Sequence, residues 1–325
     1  MAFPRVLITR PVPGDSSLVG AEVRVGPERG FREAESLRAW LRAEGPADAL
    51  VSMFHDRVDG ATLEAAGDRL RAVVNFAVGY DNIDVAACAE RGVLVCNTPD
   101  AVTEGTADLA WALLLACARR LTETGRFVRS GRFAESGPLG MSDFLGLDVA
   151  GRTLLIVGAG RIGRAVALRS LGWGMRVLYV ARSRRFDFEF APLNARRVGL
   201  DEGLGEADFV SIHTPLTSET RHLIDARRLS LMKERAVLVN TSRGPTVDES
   251  ALVEALRERR IFAAGLDVYE REPELAPGLA ELDNAVLTPH IGSGALRYRE
   301  LMTEIVMSNV RAALEGRTPP NVVTG

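Results

Sequence analysis

Lysine is nearly absent from this chain of 325 residues, whose 40 basic side chains include a single one, Lys233. That arginine bias belongs to composition and carries no mechanism. Cysteine is scarce as well. Cys88, Cys96 and Cys117 are odd in number and lack the spacing of a metal site, which argues against a disulfide framework or a zinc cluster. They read as reduced packing thiols of a cytoplasmic protein, with no metal expected. Long apolar runs are missing: the longest, Leu109 to Ala118, is far too short to span a bilayer. The start does not read as a charged segment followed by an apolar one, so no signal peptide and no membrane partner are expected. A net charge of −3 leaves no overall basic footprint for nucleic acid.

What is present is enough apolar sequence for two cores, 46% of the chain. Strand-like and helix-like patterns alternate throughout, which predicts parallel α/β architecture. Strands are expected at Arg5–Thr9, Ala49–Met53, Val73–Phe76 and Val93–Cys96, with helices at Phe31–Glu44 and Asp84–Arg91 between them. A long helix, Thr103–Arg119, follows. It is apolar on nearly every face, which predicts burial between domains or subunits. Six further strands are expected: Thr153–Val157, Arg176–Val180, Asp208–His213, Ala236–Asn240, Ala263–Asp267 and Ala285–Leu287. Six is the count of a full dinucleotide-binding sheet. A last helix covers Arg297–Glu315. No repeat or low-complexity linker is visible, so the expected domains abut: 1–99 with 294–325, and 100–293.

Gly158-Ala-Gly160-Arg-Ile-Gly163 follows the apolar strand Thr153–Val157 and opens a helix, the context that a dinucleotide turn needs. Gly158 suits the tight turn, Gly160 a close approach of backbone to a pyrophosphate, and Gly163 close packing of helix on strand. The alternative is a glycine turn with no ligand. At the end of the next strand, an acidic residue would bind a ribose 2′-hydroxyl, yet Ala181 stands there. Arg182, Ser183, Arg184 and Arg185 follow it. Loss of the carboxylate and gain of guanidiniums suit a 2′-phosphate, so NADP(H) is preferred over NAD(H), with Arg182 foremost. A solvated basic loop is the other reading.

Four histidines can be weighed singly. His55 sits just after a strand and suits the lining of a cleft. His213 opens His213-Thr214-Pro215 and either touches cofactor or packs. His222 lies in a polar stretch and reads as solvated. His290 follows a strand and precedes a glycine-rich turn, where a parallel sheet delivers side chains to its ligand crevice. Two other strands end in Asn240-Thr241-Ser242-Arg243-Gly244 and in Asp267-Val-Tyr-Glu-Arg-Glu272-Pro273. Reduction of a 2-oxo acid needs a cation for the carboxylate, a proton for the carbonyl oxygen and a hydride beside the carbonyl carbon. Arg243 suits the first task and His290 the second, while Glu272 can orient the imidazole.

With these motifs in order, the chain resembles the D-isomer-specific 2-hydroxyacid dehydrogenases, and among them the glyoxylate/hydroxypyruvate reductases. The resemblance is carried by Asn75-Phe-Ala-Val-Gly-Tyr-Asp-Asn-Ile-Asp84, Asn97-Thr-Pro-Asp100, Thr103-Glu-Gly-Thr-Ala-Asp-Leu-Ala110 and the motifs around Gly158, Arg243, Glu272 and His290. It implies two Rossmann/flavodoxin-like domains, the cofactor domain inserted into the substrate domain, with a water-excluding cleft. Arg243, Glu272 and His290 become the expected catalytic set, and the N–H groups of Val78 and Gly79 the expected cradle for the substrate carboxylate. Expected cofactor contacts are Thr106, Gly158, Gly160, Arg161, Ile162, Gly163, Arg182, Ser183, Arg184, His213, Thr214, Pro215, Thr241, Ser242, Arg243, Asp267, His290 and Gly292. A homodimer is implied through the long helix and segment 121–148.

One departure bears on substrate. Reductases of this kind often carry a tryptophan shortly before the Leu-Gly pair ahead of the cofactor domain; here Phe144 is the only aromatic of Met141–Gly146. The expected reaction is NADPH-dependent reduction of glyoxylate or hydroxypyruvate to the D-2-hydroxy acid. A 2-ketogluconate reductase is the alternative, and a non-catalytic nucleotide-sensing protein the reading from another class.

Overall fold

The structure is a computed structural model that describes residues 3–323. It separates into two compact units, which part at Val102/Thr103 and Gly292/Ser293, against the expected 99/100 and 293/294. Unit one holds a five-stranded sheet of β1 (Arg5–Ile8), β2 (Glu22–Val25), β3 (Ala49–Met53), β4 (Ala72–Phe76) and β5 (Leu94–Cys96). The order is β2-β1-β3-β4-β5 and every pairing is parallel. β3 and β4 are buried along their whole length, which is why they read as unbroken apolar runs. β2 was not anticipated: Glu22-Val-Arg-Val25 is a half-exposed edge strand with no such run. Helices α1 (Ala34–Glu44), α2 (Gly60–Ala66) and α3 (Val85–Glu90) connect the strands. Asp59 and Asp84 cap the last two by accepting the N–H groups of Thr62 (3.1 Å) and Ala87 (2.9 Å), each such cap contributing about 1 kcal/mol.

Unit two opens with α4 (Thr103–Ala118), α5 (Leu121–Arg129) and α6 (Arg132–Ser136). Its sheet comprises β6 (Thr153–Val157), β7 (Arg176–Val180), β8 (Arg196–Arg197), β9 (Phe209–Ile212), β10 (Val237–Asn240), β11 (Ala263–Leu266) and β12 (Ala285–Leu287). Interleaved are α7 (Arg161–Arg169), α8 (Phe186–Glu189), α9 (Leu200–Glu206), α10 (Ala226–Leu231) and α11 (Glu249–Arg257). The order β12-β11-β10-β9-β6-β7-β8 is again all parallel. Six of these strands were expected. The seventh, β8, is two exposed arginines and has no apolar residue by which a sequence could announce it. The chain leaves β6 toward β7 on one side and returns to β9 on the other. That reversal makes a topological switch point, with the carboxyl ends of all strands on one edge.

The long helix α4 is held inside unit two. Trp111 Nε1 donates to Val166 O (2.9 Å), its ring stacks on Trp173, and Leu113 rides over Gly265, where an added Cβ would stand 2.8 Å from Leu113 Cβ. Its expected burial is met within the unit, where the sheet and α7 cover much of its apolar surface. The final helix, α12 (Leu296–Leu314), packs on β3 and β4 of unit one. Among the described residues no helix is long and apolar enough to cross a membrane. All three cysteines are buried, and burial pushes the Cys88 thiol up to about 11 and Cys96 to about 12, as suits packing residues.

Candidate active site

The turn after β6 is built by backbone approach. Gly158 has φ +103, and a Cβ there would lie 2.6 Å from His213 O and 2.9 Å from Thr214 N. At Gly163 a Cβ would stand 2.2 Å from Gly158 O, so α7 can begin this close to β6 only without side chains. Gly160 caps α7, and in front of it an added Cβ would meet nothing within 4 Å. Arg161 and Ile162 form the first turn of α7 behind that open space, their N–H end turned to it.

After β7, the backbone of the basic loop is pinned. Arg197 Nη2 donates to Ala181 O (2.8 Å) and Arg182 O (2.9 Å). The guanidiniums then divide. Arg184 is engaged by Glu189 (Nε–Oε2 3.0 Å), which also accepts the Tyr179 hydroxyl, and Arg185 lies 3.3 Å from Asp187. Arg182 and Ser183 are exposed, and their side chains make no hydrogen bond or ion pair among the described residues. Arg184, expected as a cofactor contact, is thus held by a carboxylate of its own loop.

At the ends of β10, β11 and β12 the structure gathers the expected catalytic residues into one unit. His290 Nδ1 donates to Glu272 Oε2 at 2.8 Å, with the side chains partly buried. His290 has φ +54, a left-handed conformation that is uncommon outside glycine and often found at functional sites. Glu272 Oε1 accepts the Tyr269 N–H (3.0 Å), so both its oxygens are committed. Asn240 shapes the Arg243 turn: its Nδ2 donates to Arg243 O (3.0 Å) and its Oδ1 accepts from Ser242 N and Oγ. Arg243 Nη1 donates to Ser242 O (2.9 Å). Gly244 allows the turn to touch the next loop, since a Cβ there would fall 1.9 Å from Tyr269 C.

Among the described residues, four buried polar atoms on this edge have no hydrogen-bond partner: His213 Nδ1, Thr214 Oγ1, Thr241 Oγ1 and Asp267 Oδ2. Buried polar groups are ordinarily bonded, so such a cluster marks where a polar ligand belongs. All four residues had been expected to contact cofactor. His213 Nε2 lies 2.8 Å from Ser211 Oγ, and burial pushes its imidazole down to about 3, so it is neutral at physiological pH. Burial pushes the Asp267 carboxyl up, against the Thr288 hydroxyl (2.6 Å), the Ile291 N–H (2.8 Å) and nearby His290. Thr106 and Gly292 meet it: a Cβ at Gly292 would stand 3.2 Å from Thr106 Oγ1 and 3.4 Å from Asp267 Oδ2. These groups fit a nicotinamide dinucleotide: glycine and helix N–H for the diphosphate, hydroxyls for the sugars, a carboxylate for the carboxamide.

Unit one carries its own row of backbone donors. The carbonyls of Ala77, Val78 and Gly79 accept from Thr98 N (2.9 Å), Asn97 Nδ2 (2.7 Å) and Asn75 Nδ2 (2.8 Å). In a trans peptide the following N–H points the opposite way, so Val78, Gly79 and Tyr80 turn three donors away from those acceptors. None of the three N–H groups has an acceptor among the described residues. Unbonded backbone donors of this kind are available to an acceptor from outside the chain.

The remaining histidines are placed too. His55 Nε2 lies 3.6 Å from Asp56 Oδ1, with its ring edge-on to Phe54. His222, read as solvated, instead bonds Glu270 Oε1 at 2.8 Å. Phe144 packs on Phe127 (5.0 Å between centroids) under the Arg120 guanidinium.

Residues 111–292 match the family described as D-isomer specific 2-hydroxyacid dehydrogenase, NAD binding domain. The chain is 48% identical over 324 residues to a glyoxylate reductase of Thermococcus onnurineus, covering 98% of this chain and 96% of the relative. The chain belongs to the D-isomer-specific 2-hydroxyacid dehydrogenases. It is an oxidoreductase of that family and uses a nicotinamide cofactor. Among solved structures, a protein from Thermus thermophilus superposes with TM-score 0.89 at 44% identity, covering 98% of this chain and all of that one. An NADPH-dependent glyoxylate/hydroxypyruvate reductase from Sinorhizobium meliloti, in complex with NADP and malonate, gives 0.83 at 31%, covering 99% and 97%.

Within this dehydrogenase, several supporting residues escaped sequence reasoning. Arg197, Asn97 and Thr288 act on backbone carbonyls or a buried carboxylate distant along the chain, which no local spacing encodes, while Asn75 reaches Gly79 four residues on. The Asn75 and Asn97 positions had a signal: a buried amide in an apolar strand or at its end needs a partner.

Proposed function

We propose that this dehydrogenase reduces glyoxylate to glycolate, or hydroxypyruvate to its D-2-hydroxy acid, with NADPH. The observation that carries the reading is the Glu272–His290 bond of 2.8 Å, on the same sheet edge as the Arg243 turn and the orphaned polar atoms. The resemblance to glyoxylate reductases over 98% of the chain narrows the 2-oxo acid to a small one. When bound, NADPH supplies the hydride to the carbonyl carbon. Arg243 grips the carboxylate and polarises the carbonyl. Because Nδ1 of His290 is committed to Glu272, Nε2 is the nitrogen that gives its proton to the carbonyl oxygen. Glu272 stabilises the cationic imidazole before the transfer and fixes its tautomer afterwards. Deposition of the hydride and this proton turns the carbonyl into the hydroxyl, and solvent restores the His290 proton.

The NADPH preference rests on Ala181 in place of a carboxylate and on unengaged Arg182 and Ser183. The dimer reading rests on segment 121–145: α5 and α6 bury no residue, and Leu121, Val128, Met141 and Leu145 are exposed. Light scattering should give twice the 35.1 kDa chain mass, and a stable monomer would remove this part. The main test follows NADPH and NADH oxidation with glyoxylate, hydroxypyruvate and 2-ketogluconate. Turnover is expected on the first two with NADPH favoured. A tenfold preference for NADH would overturn the cofactor assignment, and turnover on 2-ketogluconate alone would move the substrate to sugar acids. Turnover on none would leave nucleotide binding as the function.

A further inference from the structure

Glu249, the first residue of α11, is a carboxylate only 5% exposed. No cation pairs with it among the described residues. Its two oxygens instead accept backbone N–H groups, Oε2 from Glu270 (2.7 Å) and Oε1 from Ala276 (2.9 Å). Those anchor points lie on either side of Glu272. Burying an ionised carboxylate costs solvation that these charge-assisted bonds offset, so its place depends on them. A second link runs alongside. Glu270 bonds His222 Nε2 (2.8 Å), and the His222 N–H donates to Pro245 O (2.7 Å), in the turn after Arg243. The same turn touches Tyr269 at Gly244, and the Tyr269 N–H holds Oε1 of Glu272.

We propose that Glu249, backed by the Glu270–His222 pair, is a positioning residue that fixes Glu272 against His290 by tying the loop after β11 to the Arg243 turn. The proposal rests on the catalytic reading above, but the geometry it describes exists without turnover. Glu249→Gln keeps the volume and offers one acceptor where two donors must be met, turning its amide N–H₂ against one of them. That change frees the loop on one side of Glu272.

The test pairs kinetics with the imidazole N–H proton of His290 in the NMR spectrum of the full chain, assigned by its loss in His290→Asn. In the wild type that proton is sheltered by its bond to Glu272. Glu272→Gln should abolish the signal, and Glu249→Gln should speed its exchange with water. In reduction of glyoxylate, Glu249→Gln should lower kcat about tenfold while leaving the KM for NADPH unchanged. Joined to Glu272→Gln, it should add no further loss, since it acts through Glu272. A folded Glu249→Gln protein with wild-type proton exchange and wild-type kcat would overturn the proposal, as would full additivity. Should that variant not fold, His222→Gln at the outer end of the brace carries the test. Faster exchange supports the proposal and wild-type exchange overturns it. A wild type with no turnover would sink the catalytic reading alone, because the proton signal still decides the brace.

Discussion

The two ends of the seven-stranded sheet are made of the same strands yet treat polar groups in opposite ways. At the amino end bonds are completed. Asp208 accepts from Thr153 N (2.9 Å) and Lys233 Nζ (2.8 Å), Arg176 bonds Thr153 Oγ1 (3.1 Å), and Arg259 pairs with Asp283 (2.6 Å). At the carboxyl end four buried polar atoms are left without partners, and a histidine is held with positive φ. The amino end has one such atom, Asn284 Oδ1. Folding alone would favour closing every bond. Bonds left open on one edge therefore mark where the ligand completes the structure.

The comparison can be broken at either end. The largest effect is expected from Gly163→Val, whose side chain meets Gly158 O at the floor of the dinucleotide turn. Cofactor affinity should fall about a hundredfold or more, read by nucleotide fluorescence. Next comes the basic loop. Arg182→Ala should lower the NADPH-over-NADH ratio of kcat/KM by about tenfold to a hundredfold, the worth of one charge-assisted bond. Arg184→Ala should change it less, because Glu189 already holds that guanidinium. If the two variants behave alike, the division within the loop is wrong.

The smallest effect belongs to the amino end. Burial alone would raise the Asp208 carboxyl, but the Lys233 ammonium and the Thr153 N–H outweigh it and hold it below the ordinary range. Stability from this depressed value is complete above about pH 4 and is lost as pH falls through the native value. Asp208→Asn should lower Tm by roughly 2–4 °C at pH 7 and by less in acid, with kcat/KM unchanged. A loss of activity greater than the loss of folded protein would mean that the two ends are coupled.

Much of the carboxyl edge was legible because its residues follow apolar strands directly. In a parallel sheet, the residue after a buried run must emerge at the ligand edge, so Gly158, Arg243, Asp267 and His290 could be placed by counting. β2 and β8 were not legible, since an edge strand needs no continuous apolar run. The burial of α4 was legible, but apolarity tells that a helix is covered, never by what. Engagement is likewise invisible in sequence, as Arg182 and Arg184 look alike until Glu189 is placed in space. The His222–Glu270 bond is hidden for the same reason, the partner lying 48 residues away.

The central claim is that the Glu272–His290 pair delivers the proton in reduction of a small 2-oxo acid. It is tested most directly by the kcat of NADPH oxidation with glyoxylate in the wild type and in His290→Asn. The variant should bind NADPH as the wild type does while kcat falls by about 10²–10⁴-fold. Turnover unchanged by the substitution would contradict the account.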